Sequence, residues 1–203
     1  MTAPGSEGVD RDPGDRDAAG EADPRVERSR RVICEATLDE LAKVGYGSMT
    51  IESIARRAGV GKATVYRHWD GKLDLVADAL RTLRPEIRPA DHGSARDRIV
   101  GMLSELATMV ADSEWSACMP ALVSAATRDD ALRAVHHRFT AERRQVMVDL
   151  IAEGIATGEL VTTTDPELLA EILAGPIFYR RLMTPDPLPP ERVHEIVDQV
   201  LPA

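Results

Sequence analysis

Aromatic residues are scarce in this chain of 203 residues, where Phe, Trp and Tyr together make up 3% of the total. The hydrophobic share of 43% comes mainly from Leu, Ala, Val and Ile, a composition that favours helices. No apolar run approaches the roughly 18 residues needed to span a bilayer, and the acidic N-terminal residues are unlike a signal peptide. We therefore expect an all-α protein in the cytoplasm, without a membrane partner.

Sequence signatures of catalysis and metal binding are also missing. The chain has no Gly-rich phosphate loop, no HExxH motif and no plausible Ser/His/Asp order. Cys34 and Cys118 are far apart on predicted apolar helix faces and are expected to be packing residues. His136 and His137 are adjacent, so on a helix their side chains point about 100° apart and cannot share one ion. No catalytic residue, metal site or cofactor is predicted.

The net charge of −9 is distributed unevenly along the chain. Residues 1–24 carry −5, residues 25–84 carry +4 from twelve basic and eight acidic side chains, and residues 85–203 carry −8. The one basic segment is where the phosphates of a nucleic acid would be expected to bind. Arg28, Arg30 and Arg31 open this segment, either as contacts to flanking phosphates or as the solvated start of a helix.

Residues 50–72, TIESIARRAGVGKATVYRHWDGK, read as two short helices joined by a tight turn at Gly59. One face of the pair would be formed, with a period near 3.6, by Ile51, Ile54, Ala55, Ala58, Val60 and Val65. The outward residues of the second helix contain no carboxylate from Lys62 to Trp69, and donors dominate, which suits the major groove. Paired helices of this kind also occur in ordinary bundles, so the outward face carries the prediction of a DNA-binding helix-turn-helix.

From about Arg30 to Leu83 the chain resembles the DNA-binding domain of the tetracycline-repressor (TetR) family of bacterial regulators. The resemblance is carried by a first helix ending near Gly45-Tyr46, by Met49-Thr50-Ile51, by Ile54-Ala55-x-x-Ala58-Gly59-Val60, by Ala63-Thr64-Val65-Tyr66-x-His68-Trp69 and by Lys72-x-x-Leu75. It implies a one-component regulator that couples this domain to a helical ligand-binding body.

The resemblance also implies individual roles. Base edges or the nearby backbone would be contacted by Lys62, Ala63, Thr64 and Arg67. Phosphates would be contacted by Thr50, which also caps the second helix, and by Tyr66, His68 and Lys72.

Two positions depart from the family pattern. Gly61 stands where many members have Ser, so the side-chain cap is missing. Glu52 stands where some relatives have a basic residue that reads a base. A carboxylate there would be repelled by phosphates unless it accepts from a cytosine amino group or pairs with Arg56.

The sequence divides into three parts. Residues 1–28 are expected to be a disordered acidic tail, because so few large apolar residues cannot offset the entropy of ordering. Residues 29–84 would form the helix-turn-helix domain and a linking helix, which Pro85 and Pro89 end at a hinge. Residues 85–203 would form a helical effector-binding and dimerisation domain with helices over 94–112, 114–127, 128–157, 166–183 and 190–201, giving about nine in total.

The last two helices carry more apolar surface than one small body can bury, which predicts a self-complementary dimer interface. The candidates for this interface are Leu169, Ile172, Phe178, Val193, Ile196, Val197 and Val200. Residues that would line an effector pocket, or else pack in the core, are Met102, Met109, Trp115, Met119, Met147 and Phe178. Pro176 is expected to kink its helix.

These features lead to one function hypothesis and two competitors. We expect a homodimeric repressor that is released from a palindromic double-stranded DNA operator by a small apolar or amphipathic effector. Repression rather than activation is implied by the resemblance alone. The first competitor, an enzyme that carries a DNA-binding-like domain, is supported by no motif in the sequence. The second is an architectural protein that binds DNA without an effector, and it would have no deep apolar pocket.

Overall fold

The structure, a computed structural model, describes residues 24–83 and 86–201, except for the side chains of residues 83, 114 and 115. In these residues all regular structure is helical, which confirms the all-α prediction. The helices are α1 (Pro24–Ser48), α2 (Ile51–Ala58), α3 (Lys62–Tyr66), α4 (Lys72–Leu83), α5 (Ala95–Ala111), α6 (Glu114–Ala126), α7 (Asp130–Ala156), α8 (Pro166–Met183) and α9 (Val193–Val200), with a 3₁₀ turn at Pro190–Arg192.

The last residues of the predicted disordered tail belong to the first helix. Helix α1 begins at Pro24, so residues 24–28 are helical and the domain boundary at residue 29 lies too far along the chain. Residues 1–23, and with them most of the predicted tail, are outside the described residues, as is Pro85 at the predicted hinge. No helix in the described ranges is both long enough and apolar enough to cross a membrane.

Helices α1 to α4 pack around one core. Ile33, Leu38 and Leu41 of α1 are fully buried, and so are Ile54 of α2 and Val65 of α3. Helix α1 is interrupted at Gly45, where φ is 75°, so the chain turns near the predicted end of the first helix. The packing of α2 and α4 on α1 sets the position of the short helix α3.

The two helices of the motif have well-defined ends. Thr50 caps α2 in a capping box with Ser53, in which each side-chain oxygen accepts from the other residue's backbone N–H at 3.0 Å. Gly59 ends α2 with φ of 68°, the left-handed conformation that the sequence predicts for this turn. Gly61 precedes α3 without a side-chain cap, as expected from its missing hydroxyl.

The helical body consists of α5 to α9. Helix α5 contacts α7, α8 and α9, and its buried face includes Ile99 and Leu103. Asp165 caps α8 and Pro166 occupies its first turn, as the sequence predicts. Helix α8 runs continuously from Pro166 to Met183 through Pro176.

In the described residues, helices of the predicted DNA-binding domain pack directly on the body. Helix α1 packs along α6, and α4 packs against α7. The sequence pattern predicts the link through α4 but not the larger contact between α1 and α6. Cys34 and Cys118 are buried on α1 and α6 and are not joined in a disulfide, and burial raises the pKa of each thiol to about 12, which confirms their interpretation as packing residues.

Candidate nucleic-acid interface and ligand cavity

Helix α3 and the residues after it present the outward surface that the sequence predicts. Val65 and Trp69 are buried and anchor the segment, whereas Tyr66 exposes 56% of its surface. Around these anchors, five further residues are exposed or half-exposed in the described structure: Lys62, Ala63, Thr64, Arg67 and His68. The anchors therefore fix a short segment whose other side chains face solvent.

Two side chains of this surface make local contacts. Arg67 Nη2 donates to Thr64 Oγ1 at 3.0 Å, and its Nε is 3.4 Å from the Ala63 carbonyl oxygen. Lys62 Nζ lies 2.7 Å from Glu52 Oε2 of α2. The hydrogen bond from Lys62 lowers the pKa of the Glu52 carboxyl, while Arg56 contributes only a weaker charge effect. Glu52 therefore pairs with Lys62 rather than with Arg56, the partner considered from the sequence.

Lys72 has a role that the sequence did not suggest. Its Nζ donates to the carbonyl oxygens of Tyr46 at 2.7 Å and Met49 at 3.2 Å, and it lies 4.2 Å from the centroid of the Tyr46 ring. An ammonium has three donors, so two are used to hold the turn between α1 and α2. Lys72 thus supports the N-terminus of α2, where Thr50 is the cap.

Asp78 of α4 connects the elements behind the exposed surface. Its carboxylate accepts from Trp69 Nε1 at 2.9 Å and from Arg30 Nε and Nη2 at 2.9 and 2.6 Å. Burial raises the pKa of Asp78, but the hydrogen bonds from Arg30 and Trp69 outweigh burial and the pKa is lowered. Arg30 is therefore a structural residue in this chain, and Arg31 pairs with Glu35 of its own helix.

A second feature is a cavity of about 300 Å³ between α5, α7 and α8, which residues 86 and 87 also line. Met102, Met147 and Phe178 line it, as three of the six predicted pocket residues. Met109 and Met119 pack elsewhere in the core and do not line this cavity, and the side chain of Trp115 is outside the described structure. Periodicity predicts apolar positions but does not distinguish a cavity wall from a packed core.

Charged side chains occupy one part of this lining. Arg144 donates to Glu167 at 2.8 Å and lies 3.8 Å from Glu171, so its charge is balanced by two carboxylates of α8. Arg143 is half-buried, with its guanidinium carbon 5.0 Å from the centroid of the Phe139 ring. Burial lowers the pKa of Arg143 against the opposing charges of Glu86 and Glu142.

The predicted dimer residues do not share one exposed surface. Leu169 is 1% exposed, and Val193 and Val197 are fully buried, because the rest of the body, including α5, covers that side of α8 and α9. Phe178 lines the cavity, and Ile196 and Val200 are half-buried against the core. Burial corrects the prediction for Leu169, Val193 and Val197, which belong to the core, whereas Ile172 is exposed and the other three residues are half-buried. The apolar residues that α8 exposes are Leu168, Ile172, Tyr179, Leu182 and Met183.

Within the described residues, no cluster of three or more His, Cys, Asp or Glu is arranged to hold a metal ion. The His136 and His137 ring centroids are 6.0 Å apart and tilted by 53°. We assign no metal site to them.

Comparison with known proteins agrees with this architecture. Residues 33–79 match a family model described as bacterial regulatory proteins of the tetR family, and residues 89–200 match one described as the tetracyclin repressor-like C-terminal domain. The uncharacterized HTH-type transcriptional regulator YdeS of Bacillus subtilis (strain 168) is 33% identical over 176 residues, which are 86% of this chain and 88% of YdeS.

Two further relatives cover nearly the whole chain. The DNA-binding transcriptional repressor TetR of Mycobacteroides abscessus is 25% identical over 183 residues, 87% of this chain and 94% of that protein. The crystal structure of a Rhodococcus sp. protein described as a TetR-family transcriptional regulator has a TM-score of 0.63 at 26% identity, covering 85% of this chain and 98% of the other. With a family model over more than half of its length and a second over the helix-turn-helix, the chain belongs to the TetR family of DNA-binding transcriptional regulators, which are not enzymes.

Proposed function

We propose that this regulator is a homodimeric repressor that places α3 of each subunit in successive major grooves of a palindromic operator and is released by a small molecule. The observation that supports DNA reading most directly is the exposed face of α3 and the residues after it, a segment that has no carboxylate of its own from Lys62 to Trp69 and is fixed from behind by Val65 and Trp69. The relative from Mycobacteroides abscessus is described as a transcriptional repressor, which supports repression rather than activation.

The proposed contacts follow from the exposed side chains. Base edges would be read by Lys62, Ala63, Thr64 and Arg67, where Lys and Arg can address guanine and the methyl groups can contact thymine. Phosphates would be held by Thr50, Tyr66 and His68. Lys72 would position α2 through its two carbonyl contacts and keep one N–H for a phosphate.

The proposed dimer uses the exposed face of α8. Leu168, Ile172, Gly175, Tyr179 and Leu182 follow one another at alternating intervals of four and three residues, the spacing of a helix–helix seam. Apart from its chain neighbours and the backbone of its own helix, a Cβ added at Gly175 would meet no described atom within 4 Å, so packing inside the chain does not require this glycine. Glycine at the middle of the seam would let a partner helix approach closely. The half-buried Ile196 and Val200 of α9 would lie beside it.

The cavity offers a route from effector to DNA-binding domain. Glu86 and Ile87 line it, and they come shortly after the end of α4 at Leu83. An effector in the cavity would therefore touch the segment that joins α4 to the body. If it binds best when α4 holds the two α3 helices at the wrong separation, operator affinity falls by that preference.

Selection of bound fragments from random duplexes by the full chain tests the proposal. We expect an inverted repeat with half-sites about 10 base pairs apart or a multiple of that distance. Lys62→Ala should change the preferred base within each half-site, whereas Arg138→Gln, on an exposed turn of α7, should not. Recovery of no shared motif would overturn sequence-specific reading, and a motif without repeat would overturn the dimeric arrangement.

A further inference from the structure

The start of α6 is joined to two other helices of the body through one buried hydroxyl group. Ser116, in the first turn of α6, is 1% exposed. Its Oγ donates to the carbonyl oxygen of Val110, near the end of α5. The same Oγ accepts from Nε of Arg181, near the end of α8, at 2.7 Å. Because a hydroxyl has one donor and two acceptor positions, this single group connects three helices.

Arg181 makes a second contact with the same residue. Its Nη2 donates to the backbone carbonyl oxygen of Ser116 at 3.2 Å, so the guanidinium contacts two oxygens of one residue. A guanidinium is planar and its donors are fixed relative to one another. Two such hydrogen bonds therefore set the direction of α6 as well as its distance from α8.

Pro120 explains why the carbonyl oxygen of Ser116 is available to α8. In a regular α-helix this oxygen would accept from the backbone N–H of residue 120. Residue 120 is a proline inside α6, and proline has no backbone N–H. A buried carbonyl without a donor costs free energy, and Arg181 supplies the missing donor from another helix.

Helix α8 also carries the two surfaces of the body that the proposed function uses. Phe178, three residues before Arg181, lines the cavity, and Tyr179 and Leu182 on either side of Arg181 belong to the exposed seam. In the other direction, α6 packs along α1, which contributes to the core behind α3. Arg181 therefore lies on a continuous series of contacts between the end of α8 and the DNA-binding domain.

We propose that Arg181 is a positioning residue that fixes the direction of α6 and, through α6 and α1, the orientation of α3 in the dimer. This inference rests on the proposed function, in which α8 forms the dimer seam and α3 reads the operator. Two α3 helices bind one palindrome together only when the body holds them at the correct separation. Loss of the contact should weaken binding to paired half-sites, while each α3 still recognises a single half-site.

The test compares a duplex that contains the full selected operator with a duplex that contains one half-site. Arg181→Gln should weaken operator binding by roughly threefold to thirtyfold and change half-site binding by less than about twofold. Fluorescence anisotropy, at a salt concentration at which both duplexes bind measurably, gives the two affinities. Sedimentation velocity establishes that the variant is a dimer, and circular dichroism establishes that it is folded.

Arg180→Gln is the matched control, because it removes the same charge from the neighbouring position. Arg180 Nε donates to the carbonyl oxygen of Asp186, in the turn after α8, at 3.2 Å, so this arginine holds no other helix by that bond. Both affinities should stay unchanged in this variant. Arg181→Lys keeps the charge but not the paired donors, and it should show a smaller loss in the same direction, which provides the comparison should Arg181→Gln fold poorly.

Ser116→Ala tests the same contact from α6. It should weaken operator binding as Arg181→Gln does, and the double variant should lose less affinity than the two single variants together, since both remove one interaction. Hydrogen exchange followed by mass spectrometry gives a second measurement that needs no DNA. Backbone amides of α6 and α1 should exchange faster in Arg181→Gln than in Arg180→Gln.

The proposal is overturned if Arg181→Gln binds the operator as the unmodified chain does, or if operator and half-site binding are weakened alike. Additive effects of Arg181→Gln and Ser116→Ala, or unchanged exchange in α1, would also overturn it. If the unmodified chain selects no motif, or a motif without a repeat, the proposed function fails instead. The exchange of α6 and α1 then still decides whether Arg181 holds these helices in place.

Discussion

At the scale of single residues, the ion pair between Lys62 and Glu52 places a carboxylate within the surface proposed to face DNA. The pair is exposed, with 53% and 67% of the two side chains accessible. An exposed pair of this kind contributes little to folding, so its main effect should be on DNA binding. Glu52 holds the Lys62 ammonium away from phosphates and bases until a better partner displaces it.

Replacing Glu52 by Gln should therefore increase affinity for all duplexes by roughly threefold to tenfold and steepen the salt dependence by about one counterion. Discrimination between operator and random DNA should fall, because the freed Lys62 binds phosphates without regard to sequence. Fluorescence anisotropy across a salt series measures both quantities. Glu195→Gln is the control, since it breaks a similar exposed pair with Arg192 on the far helix α9. Unchanged affinity and salt slope in Glu52→Gln would contradict this role.

Asp78 is important for the stability of the fold. From α4, its carboxylate accepts two hydrogen bonds from Arg30 of α1 and one from Trp69 after α3. Its pKa is lowered in the folded chain, so its contribution to stability is present above the ordinary value of about 4 and is lost as the pH falls through the lowered pKa. The charge of this carboxylate therefore stabilises the fold at neutral pH.

Asp78→Asn should reduce the free energy of unfolding by about 1–3 kcal/mol at pH 7. The difference from the unmodified chain should shrink as the pH falls below about 4, where the unfolded chain takes up the proton first, and it should be lost once the pH has fallen through the lowered pKa of the folded chain. Urea unfolding between pH 3 and pH 7 measures this difference. Asp149→Asn, on the exposed face of α7, should show almost none. If the difference in the free energy of unfolding between the two chains stayed constant down to pH 3, the charge of Asp78 would not be the source of the stabilisation.

At the scale of elements, α8 separates two environments. Its inner face, with Leu169, Leu173 and Ile177, is buried in the body, and its outer face is the exposed seam proposed for dimerisation. Ile172 is 42% exposed in a single chain and Tyr179 is 62% exposed. A change on the outer face should act on association without disturbing the core.

Ile172→Glu and Tyr179→Glu should each convert the dimer to a folded monomer, since both place a carboxylate in the apolar seam. Val161→Glu is the control, because Val161 is 90% exposed outside α8 and should tolerate the same change. Sedimentation velocity gives the oligomeric state and circular dichroism the helical content. Dimers that persist in both seam variants would place the interface elsewhere.

Gly154 of α7 is packed against its neighbours without room for a side chain. A Cβ there would come within 2.7 Å of Leu160 Cδ1 and 2.8 Å of Ala95 Cβ, so an added methyl group would force packed atoms apart. Gly154→Ala should lower the free energy of unfolding by about 1–3 kcal/mol. Gly101→Ala on α5, where a Cβ meets nothing within 4 Å, should instead raise it by up to about 1 kcal/mol. Chemical unfolding measures the change in the free energy of unfolding in each variant. Equal changes in the two variants would contradict the packing argument.

Local signals predicted the elements well, because caps and turns are decided by a few neighbouring residues. Asp165 before Pro166 and Gly59 at the left-handed turn are examples. Which face of α8 or α9 is covered depends on helices distant in the sequence, so Leu169, Val193 and Val197 were placed at an interface when they belong to the core. The partners of Asp78 and Lys72 also lie on other elements, and the spacing within one helix cannot reveal them.

At the scale of the whole molecule, one buried cluster extends from Ile33 in α1 to Leu201 after α9. Helix α1 contributes to the core of the DNA-binding domain and packs along α6 of the body. The two predicted domains are therefore joined by apolar packing as well as by the chain between α4 and α5. Such an arrangement favours cooperative unfolding of both parts.

The full chain should unfold in a single thermal transition. In a Trp115→Phe variant, fluorescence reports only Trp69 in the DNA-binding domain, since the chain has two tryptophans. Its midpoint should coincide with the midpoint from far-ultraviolet circular dichroism, which reports all helices. A fluorescence transition several degrees below the other would show that the DNA-binding domain melts independently.

The contact between α1 and α6 limits how such a regulator can let go of its operator. Because α1 is shared, the reading helices cannot swing away from the body by bending one connection; α1 must slide over α6 or take α6 with it. Release then requires side chains at that contact to exchange one packed arrangement for another. In the proposed mechanism, the effector concentration needed for release would accordingly depend on a buried surface that touches neither the effector nor the DNA.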